Sequence, residues 1–198
     1  MPICLRSSLS FISMCAAAFL VALGLLAQTA HADDELLVSM QNADGESVGS
    51  VKVNELEHGT LFVIDLKNLP PNGHGFHIHE NGTCEPPDFK SAGDHYNPAN
   101  KKHGYDNEKG YHAGDLANIV VSEQGTAQAE IFASWLVLEQ DDDAAQSQGD
   151  ASPHALFDGS DARAIIIHEN ADSYEADSGT GGRIACGVIE RNEDANES

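Results

Sequence analysis

The chain consists largely of short stretches in which apolar and polar side chains alternate, separated by turn residues. Alternation puts successive side chains on opposite faces of a strand, and no long stretch shows the helical period of about 3.6 residues. The predicted strands cover residues 36–41, 48–55, 60–66, 75–80, 117–122, 125–133 and 164–169. Many short strands with turns between them predict an all-β, antiparallel sandwich or barrel.

Two stretches do not fit this pattern. Residues 81–115 are rich in Gly, Pro, Asn and His, and a loop of that length inside a compact domain is usually functional. Residues 139–155 are rich in Asp, Gln and Ser, which predicts an acidic, solvated surface insertion. Asp44-Gly45 is predicted to close a hairpin between the first two strands.

Residues 1–32 are predicted to form a secretory signal peptide. Arg6 is the only charged side chain among them, and residues 11–26 are nearly all apolar. Ala30-His31-Ala32 then fits the small-x-small pattern of a cleavage site. Export would place the remaining domain, residues 33–198, in the periplasm or otherwise outside the cytoplasm.

Two other interpretations of the N-terminal segment stay open. The apolar run could be a transmembrane anchor, although it is short for a bilayer, which needs about 20 apolar residues. A lipid could instead be attached at Cys15, but Met14 is not the small residue expected before such a cysteine.

The chain carries 32 acidic and 10 basic residues, which gives a formal net charge of -22. Nucleic acids and anionic lipid surfaces are also negatively charged, so we expect no nucleic-acid partner and no membrane contact of the mature form. Cleavage after Ala32 would remove one basic residue, Arg6, and no acidic residue. Apolar residues make up 41% of the chain, which is enough for a hydrophobic core.

Cys84 and Cys186 are the two cysteines that remain after removal of the signal peptide. An even number of cysteines in an exported protein favours one disulfide. Two free thiols or two metal ligands are the alternatives.

His77 and His79 are two residues apart in a predicted strand, so both imidazoles point to the same face. Such a pair suits a metal site. It also occurs by chance on protein surfaces, so the pair by itself is weak support.

The long loop adds His95, His103, His112 and Asp115. Three imidazoles and one carboxylate can close a tetrahedral site without an open position, which suits a structural zinc ion. The alternative is a polar loop that happens to be rich in histidine. His168 ends an apolar strand, where it either presents a ligand at a loop mouth or lies buried with a backbone partner.

Five motifs occur in order within the region from about residue 36 to residue 190: Gly-Phe-His-Ile-His-Glu at 75–80, Gly-Asp-His-Tyr-Asn-Pro at 93–98, His-Ala-Gly-Asp-Leu at 112–116, Ile-His-Glu-Asn-Ala-Asp at 167–172 and Gly-Gly-Arg-Ile-Ala-Cys-Gly-Val-Ile at 181–189. Together they resemble the signatures of copper–zinc superoxide dismutases in their exported bacterial form. The resemblance implies superoxide as substrate, copper and zinc as cofactors, and an antiparallel Greek-key β-sandwich or barrel with long metal-binding and active-site loops.

The resemblance also implies which residues bind each ion. The implied copper ligands are His77, His79, His95 and His168, and the implied zinc ligands are His95, His103, His112 and Asp115. In this assignment His95 bridges the two ions and also passes a proton during the reaction.

Two further functional residues follow from the resemblance. Arg183 corresponds to the arginine beside the copper, which orients the anionic substrate and makes it a catalytic residue together with His95. Asp172 corresponds to the carboxylate that joins the copper ligand His77 to the zinc ligand His103.

The resemblance further implies that Cys84 and Cys186 form the family disulfide, and that His74 is structural rather than a ligand. His58 and His154 match no family position and are predicted to lie at the surface. Because the family includes monomers and dimers, a homodimer is open to this chain.

Two other functions would use some of the same residues. A copper-buffering protein would have the same fold and no turnover, whereas a zinc hydrolase would need an open zinc position and a general base. All seven implied ligand positions and Arg183 are present, which favours the dismutase.

The charge distribution predicts an unusual dependence on salt. Residues 169–182 contain four acidic side chains and neither lysine nor arginine, so positive charge near the site is limited to Arg183, the copper ion and Lys101 or Lys102. Because salt screens the repulsion between superoxide and an acidic protein, we expect slow dismutation at low ionic strength and a rate that changes little or rises as salt is added. Rate constants measured over a series of ionic strengths test this, and a steep fall with added salt would contradict it.

Overall fold

The computed structural model describes residues 35–139, 153–157, 161–177 and 179–191, so the predicted signal peptide and most of the predicted insertion lie outside the described residues. Compactness divides the chain into Met1–His31 and Ala32–Ser198, and every described residue belongs to the second unit. None of the described helices is long and apolar enough to cross a membrane.

The described residues form eleven strands and one short 3-10 helix. The strands are β1 (Glu35–Asn42), β2 (Ser47–Leu56), β3 (Gly59–Leu66), β4 (Asn72–His74), β5 (Phe76–His79), β6 (Ile119–Val121), β7 (Ala127–Ala133), β8 (Leu136–Val137), β9 (His154–Ala155), β10 (Arg163–His168) and β11 (Arg183–Ile189), and the 3-10 helix spans Lys90–Ala92.

Seven of these strands form one antiparallel sheet in the order β5-β10-β11-β1-β2-β3-β7. Two small pairs accompany it, an antiparallel pair of β4 with β6 and a parallel pair of β8 with β9. Sequential hairpins join β1, β2 and β3, whereas β7 and β11 reach their neighbours through long connections, as in a Greek key. The predicted all-β antiparallel fold is confirmed.

All seven predicted strands are present, with ends that differ by at most two residues. Three of the additional strands, β4, β8 and β9, have only two or three residues, too few to show alternation in the sequence. The fourth, β11, shows no alternation of buried and exposed residues, because all seven of its residues are buried or half-buried.

The main core covers one face of the sheet. Along β5 and β10 both faces of the sheet are covered. The first six residues of β1 alternate between exposed and buried, whereas every residue of β5 and β10 is buried. The long loop provides the second cover: its residues Phe89 and Ala92 pack with Ile166 and Cys186 in a small apolar cluster. A buried loop of this kind sets the position of the polar residues that follow it.

A disulfide joins Cys84 in the long loop to Cys186 in β11, as predicted, across a sequence separation of 102 residues. Cys186 is fully buried in the same small cluster as Phe89. The bond therefore fixes the beginning of the long loop to the middle of the sheet.

Removal of this disulfide is expected to destabilise the protein. For a closed loop of about 100 residues the chain-entropy model gives about 4–5 kcal/mol. The double variant C84S/C186S should therefore unfold at a lower urea concentration than the oxidised parent, followed by the fluorescence of Trp135. As a control, a reductant should lower the stability of the parent to that of the variant and leave the variant unchanged. Equal stability of the variant and the oxidised parent would contradict the prediction.

Candidate metal centre

Two segments of the long loop lie directly against β5. His79 pairs with His95 across one isolated antiparallel bridge, and His77 pairs with Asp115 across another. His79 and His95 are 16 positions apart in the chain, and His77 and Asp115 are 38 positions apart. Both pairs become neighbours because the loop segments that carry His95 and Asp115 lie against β5.

Backbone hydrogen bonds around Ile78 hold these segments in place. The Ile78 N–H donates to the Gly114 carbonyl at 2.9 Å, and the Tyr96 N–H donates to the Ile78 carbonyl at 2.9 Å. The Gly114 N–H donates to the Tyr96 carbonyl at 2.8 Å. A Cβ atom at position 114 would collide with the Ile78 carbonyl oxygen, so glycine is required for this close approach.

The first candidate metal group consists of His95, His103, His112 and Asp115, whose ligand atoms lie within 4.8 Å of one another. The Nδ1 atoms of the three histidines lie 2.8, 3.1 and 3.2 Å from the Asp115 carboxylate oxygens. This carboxylate is nearly inaccessible to solvent. Three nitrogens and one oxygen are thus brought around one small volume.

The second candidate group contains His77, His95 and His168, so His95 belongs to both. His79 adjoins it, with its Nε2 atom 3.4 Å from Nε2 of His168. The Nδ1 atom of His77 is buried and has no hydrogen-bond partner among the described residues. A buried ring nitrogen without a partner costs about 1–3 kcal/mol and points to a ligand absent from the protein chain alone.

Hydrogen bonds on the far side of two rings leave their Nε2 atoms directed into this group. The Nδ1–H of His79 donates to the Gly93 carbonyl at 2.9 Å. Nδ1 of His168 lies 3.1 Å from the Thr180 hydroxyl. Such bonds select the tautomer and the orientation of a ligand ring.

Asp172 connects the two groups from behind. Its carboxylate accepts hydrogen bonds from Nε2 of His77 at 2.9 Å and from Nε2 of His103 at 3.1 Å. The side chain of Asn118 holds the main chain of Asp172 with two hydrogen bonds, at 2.9 and 2.8 Å. The Tyr174 N–H donates a third to the carboxylate itself at 2.7 Å. Asp172 thereby orients one ring of each group.

Burial lowers the pKa of three rings in and beside the second group, those of His79, His95 and His168. Burial lowers the pKa of His79 to about 2, and the neighbouring His95 acts in the same direction. Burial likewise lowers the pKa of His168 to about 2 and also lowers that of His95. Neutral imidazoles have free lone pairs, so these rings can bind a metal ion without first losing a proton.

The first group contains a carboxylate paired with a protonated ring. Burial acts to raise the pKa of Asp115, but hydrogen bonds from His103, His112 and His95 lower it far below its usual range. Hydrogen bonding to Asp115 in turn raises the pKa of His103 to about 9, although burial acts against this. A divalent cation at this position would take the place of the His103 proton.

Arg183 is held at the mouth of the second group by backbone carbonyls. Its Nη1 donates to the Phe89 carbonyl and its Nη2 to the Gly93 carbonyl, both at 2.6 Å. Gly93 therefore accepts hydrogen bonds from both Arg183 and His79. Burial lowers the pKa of the guanidinium, whereas the negative charges of Asp94 and Asp88 act to raise it.

An open cleft of about 510 Å³ leads to both groups. His95, His103 and His112 line it. The acidic residues Glu80 and Asp94 line it as well, next to these histidines.

The structure brings all nine predicted site residues together: His77, His79, His95, His103, His112, Asp115, His168, Asp172 and Arg183. His74 lies buried, with its ring nitrogens 2.8 Å from the carbonyls of Pro70 and His168, which is a structural position. His58 is exposed, and His154 is half-buried in β9.

Sequence reasoning missed three contributors to this geometry, namely Thr180, Asn118 and the Gly93 carbonyl. No sequence signal marks them, because threonine, asparagine and glycine are ordinary loop residues. Their partners lie 12, 54 and 90 positions away in the chain.

The donor sets fit the two ions implied by the sequence. Three imidazole nitrogens and one carboxylate oxygen suit tetrahedral zinc. Four imidazole nitrogens suit copper, and the unpartnered Nδ1 of His77 is the buried atom that such an ion would satisfy.

Residues 47–189 match the family model described as copper/zinc superoxide dismutase (SODC). A Cu-Zn superoxide dismutase from Caulobacter vibrioides is 40% identical over 149 residues, which cover 74% of this chain and 80% of that protein. Cu-Zn superoxide dismutase 2 from Aquifex aeolicus is 38% identical over 151 residues, or 75% of this chain and 82% of that protein. The crystal structure of a SOD-like protein from Bacillus subtilis superposes with a TM-score of 0.68 at 36% identity, covering 77% of this chain and 97% of that one.

The buried neutral rings predict acid sensitivity of the metal-free protein. In the unfolded chain His79 and His168 titrate at the ordinary value of 6.5, whereas in the folded chain their pKa is about 2. Between these values the unfolded state binds more protons, so the free energy of unfolding falls as the pH falls below 6.5. Each ring contributes at most about 1.4 kcal/mol per pH unit.

Urea unfolding of the metal-free protein at about pH 7 and about pH 5 measures this slope. The variant His79→Gln should show a shallower slope than the parent, because one of the groups with a strongly lowered pKa no longer titrates. The exposed His58→Gln serves as the matched control and should keep the parent slope. Identical slopes for His79→Gln and the parent would refute the assignment.

Proposed function

The chain belongs to the copper/zinc superoxide dismutase family, whose reaction is the dismutation of superoxide to O2 and H2O2, and we propose that the two histidine groups described above are its metal sites. The observation that carries this proposal is the position of His95, which stands in both groups at once. A shared ring is what a bridged pair of ions requires.

In this proposal copper is held by His77, His79, His95 and His168, and zinc by His95, His103, His112 and Asp115. When bound, copper supplies the one-electron chemistry by which one superoxide leaves as O2 and a second, with two protons, leaves as H2O2. Zinc has no redox chemistry and serves the geometry of the site.

His95 holds a proton and transfers it to the product. Its Nδ1 faces the Asp115 carboxylate at 2.8 Å, so Nε2 is the nitrogen directed to the other group. We assign Nε2 of His95 as the atom that holds one of the two protons and delivers it to the product. The contacts of Nδ1 on the zinc side of the ring would hold the imidazole in place while Nε2 gains and loses its proton.

Arg183 binds and orients the anion. Its two terminal nitrogens are fixed by the Phe89 and Gly93 carbonyls, so the guanidinium keeps one orientation beside the segment that also holds His79. A fixed positive group stabilises negative charge without reorganisation during the reaction.

Asp172 keeps the two ligand sets in register. Its carboxylate accepts hydrogen bonds from Nε2 of His77 and from Nε2 of His103. The Nδ1 atom of each ring is therefore the one that would face a metal ion. Carboxylates behind ligand histidines commonly change metal affinity by 10–100-fold when removed.

The proposal includes export of the protein. Residues 1–32 have the pattern of a signal peptide, and the compact unit begins at Ala32, where cleavage is expected. The disulfide between Cys84 and Cys186 supports an oxidising compartment such as the periplasm.

The variant His168→Ala tests the function. It removes a residue of the copper group alone, so superoxide turnover should fall to the background rate while one zinc ion per chain is retained. Superoxide loss and metal content are measured on the protein loaded with copper and zinc. His58→Ala is the matched control, because His58 is exposed and lies in neither group, and it should keep full activity.

Two results would count against the proposal. Activity that persists in His168→Ala would show that the copper assignment is wrong. A parent protein that binds both ions without turnover would instead be a copper-buffering protein.

A further inference from the structure

Four aromatic side chains form one cluster beside the first metal group, outside both sets of ligands. They are Tyr105, Tyr111, Trp135 and Tyr174. The rings of Tyr105 and Tyr174 are stacked, with centroids 5.4 Å apart and planes inclined by 18°. Tyr111 meets Tyr105 and Trp135 edge to face, at centroid distances of 4.7 and 5.1 Å. Rings at such distances attract one another beyond the burial of apolar surface, so the four side chains hold each other in place.

The zinc ligands proposed above lie in a segment without regular structure. Residues 93–118 are all described, and they contain isolated bridges but no strand or helix. His95, His103, His112 and Asp115 all belong to this segment. Side-chain contacts must therefore supply much of the positional order that a strand or a helix would otherwise provide.

Two members of the aromatic cluster bind the turn at residues 112–115, which carries two of these ligands. The turn is closed by the Asp115 N–H, which donates to the His112 carbonyl at 3.1 Å. The Tyr105 hydroxyl donates to the Asp115 carbonyl at 2.6 Å, and Nε1–H of Trp135 donates to the Ala113 carbonyl at 2.9 Å. Ala113 and Asp115 are buried, so solvent is a poor substitute for either donor.

Tyr174 connects the aromatic cluster to Asp172, the carboxylate behind both metal groups. Its N–H donates to that carboxylate at 2.7 Å, and its hydroxyl accepts a hydrogen bond from the Asn118 N–H at 2.9 Å. Its carbonyl accepts a hydrogen bond from the N–H of Asp106, the residue after Tyr105, at 2.8 Å. Tyr174 has a φ of 65°, in the left-handed region, which a residue other than glycine keeps only where its surroundings hold it.

We propose that the aromatic cluster holds the zinc ligands in their binding arrangement before the ion arrives, with Tyr105 and Trp135 as positioning residues. The inference rests on the proposed function, because it takes the first group as the zinc site. A site that is ordered in the metal-free protein pays less conformational entropy when the ion binds, so it binds the ion more tightly. Groups that orient metal ligands from behind commonly change metal affinity by about 10–100-fold when they are removed.

The test removes single hydrogen-bond donors and keeps the rings. Tyr105→Phe removes the donor to the Asp115 carbonyl, and the double variant Y105F/W135F also removes the donor to the Ala113 carbonyl. Tyr96→Phe is the matched control. Its hydroxyl also donates to a carbonyl, that of Ala155 at 2.7 Å, and Ala155 belongs to neither metal group.

The metal-free protein is titrated with Co²⁺ in the presence of a competing chelator, because Co²⁺ in a tetrahedral site absorbs visible light. The titration gives the Kd, and the positions and intensities of the absorption bands report the geometry around the ion. Urea unfolding of the metal-free proteins, followed by circular dichroism, measures the stability of each variant separately from its affinity.

We expect the Kd for Co²⁺ to be about 10-fold higher in Tyr105→Phe than in the parent, and about 100-fold higher in Y105F/W135F. The absorption bands of both variants should be shifted, because the carboxylate and the imidazoles approach the ion less regularly. Tyr96→Phe should keep the Kd and the spectrum of the parent. Both single variants should unfold at a lower urea concentration than the parent, since each loses one hydrogen bond to a carbonyl.

A parental Kd and spectrum in Tyr105→Phe would overturn the inference. An equal rise of the Kd in Tyr105→Phe and Tyr96→Phe would overturn it as well, because metal affinity would then follow the stability of the whole domain. Tyr105 is 37% exposed, so its single variant keeps the test decisive if Y105F/W135F folds poorly. A parent without a tetrahedral Co²⁺ spectrum would refute the zinc site itself, which is a failure of the proposed function and is visible before any variant is compared.

Discussion

The pairing of β5 with two segments of the long loop determines the geometry of both metal groups. Two backbone bridges place His95 beside His79 and Asp115 beside His77, so the strand and the loop supply ligands to a common volume. The disulfide and the small apolar cluster under Phe89 hold the same loop against the sheet. Because a loop buried on its inner side must satisfy its backbone groups locally, its path is fixed and its histidines cannot spread into solvent.

Two shared acceptors make the site behave as one unit. The Gly93 carbonyl receives hydrogen bonds from a proposed copper ligand, His79, and from Arg183, the residue proposed to orient the substrate. The Asp172 carboxylate receives hydrogen bonds from one ring of each metal group. Displacement of either acceptor would therefore disturb two parts of the candidate site at the same time.

The electrostatics divide into an interior and a rim. Inside, burial lowers the pKa of His79 and of His168 to about 2, so these two rings are neutral and can bind a cation without first losing a proton. On the rim, the acidic residues Glu80 and Asp94 line the cleft beside His95 and His103.

The sequence by itself predicted seven of the eleven described strands and the nine side chains that the structure brings together at the candidate site. Alternation is a local property, and so seven strands were predictable to within two residues, and the two cysteines outside the predicted signal peptide were predicted to pair. Only the tertiary structure decided which side chains meet. Thr180, Asn118 and the Gly93 carbonyl act on partners 12 to 90 positions away, and a rim of two carboxylates forms because residues 80 and 94 are adjacent in space. Periodicity and motif spacing carry no information about such contacts, because the contacts depend on how the loop packs against the sheet.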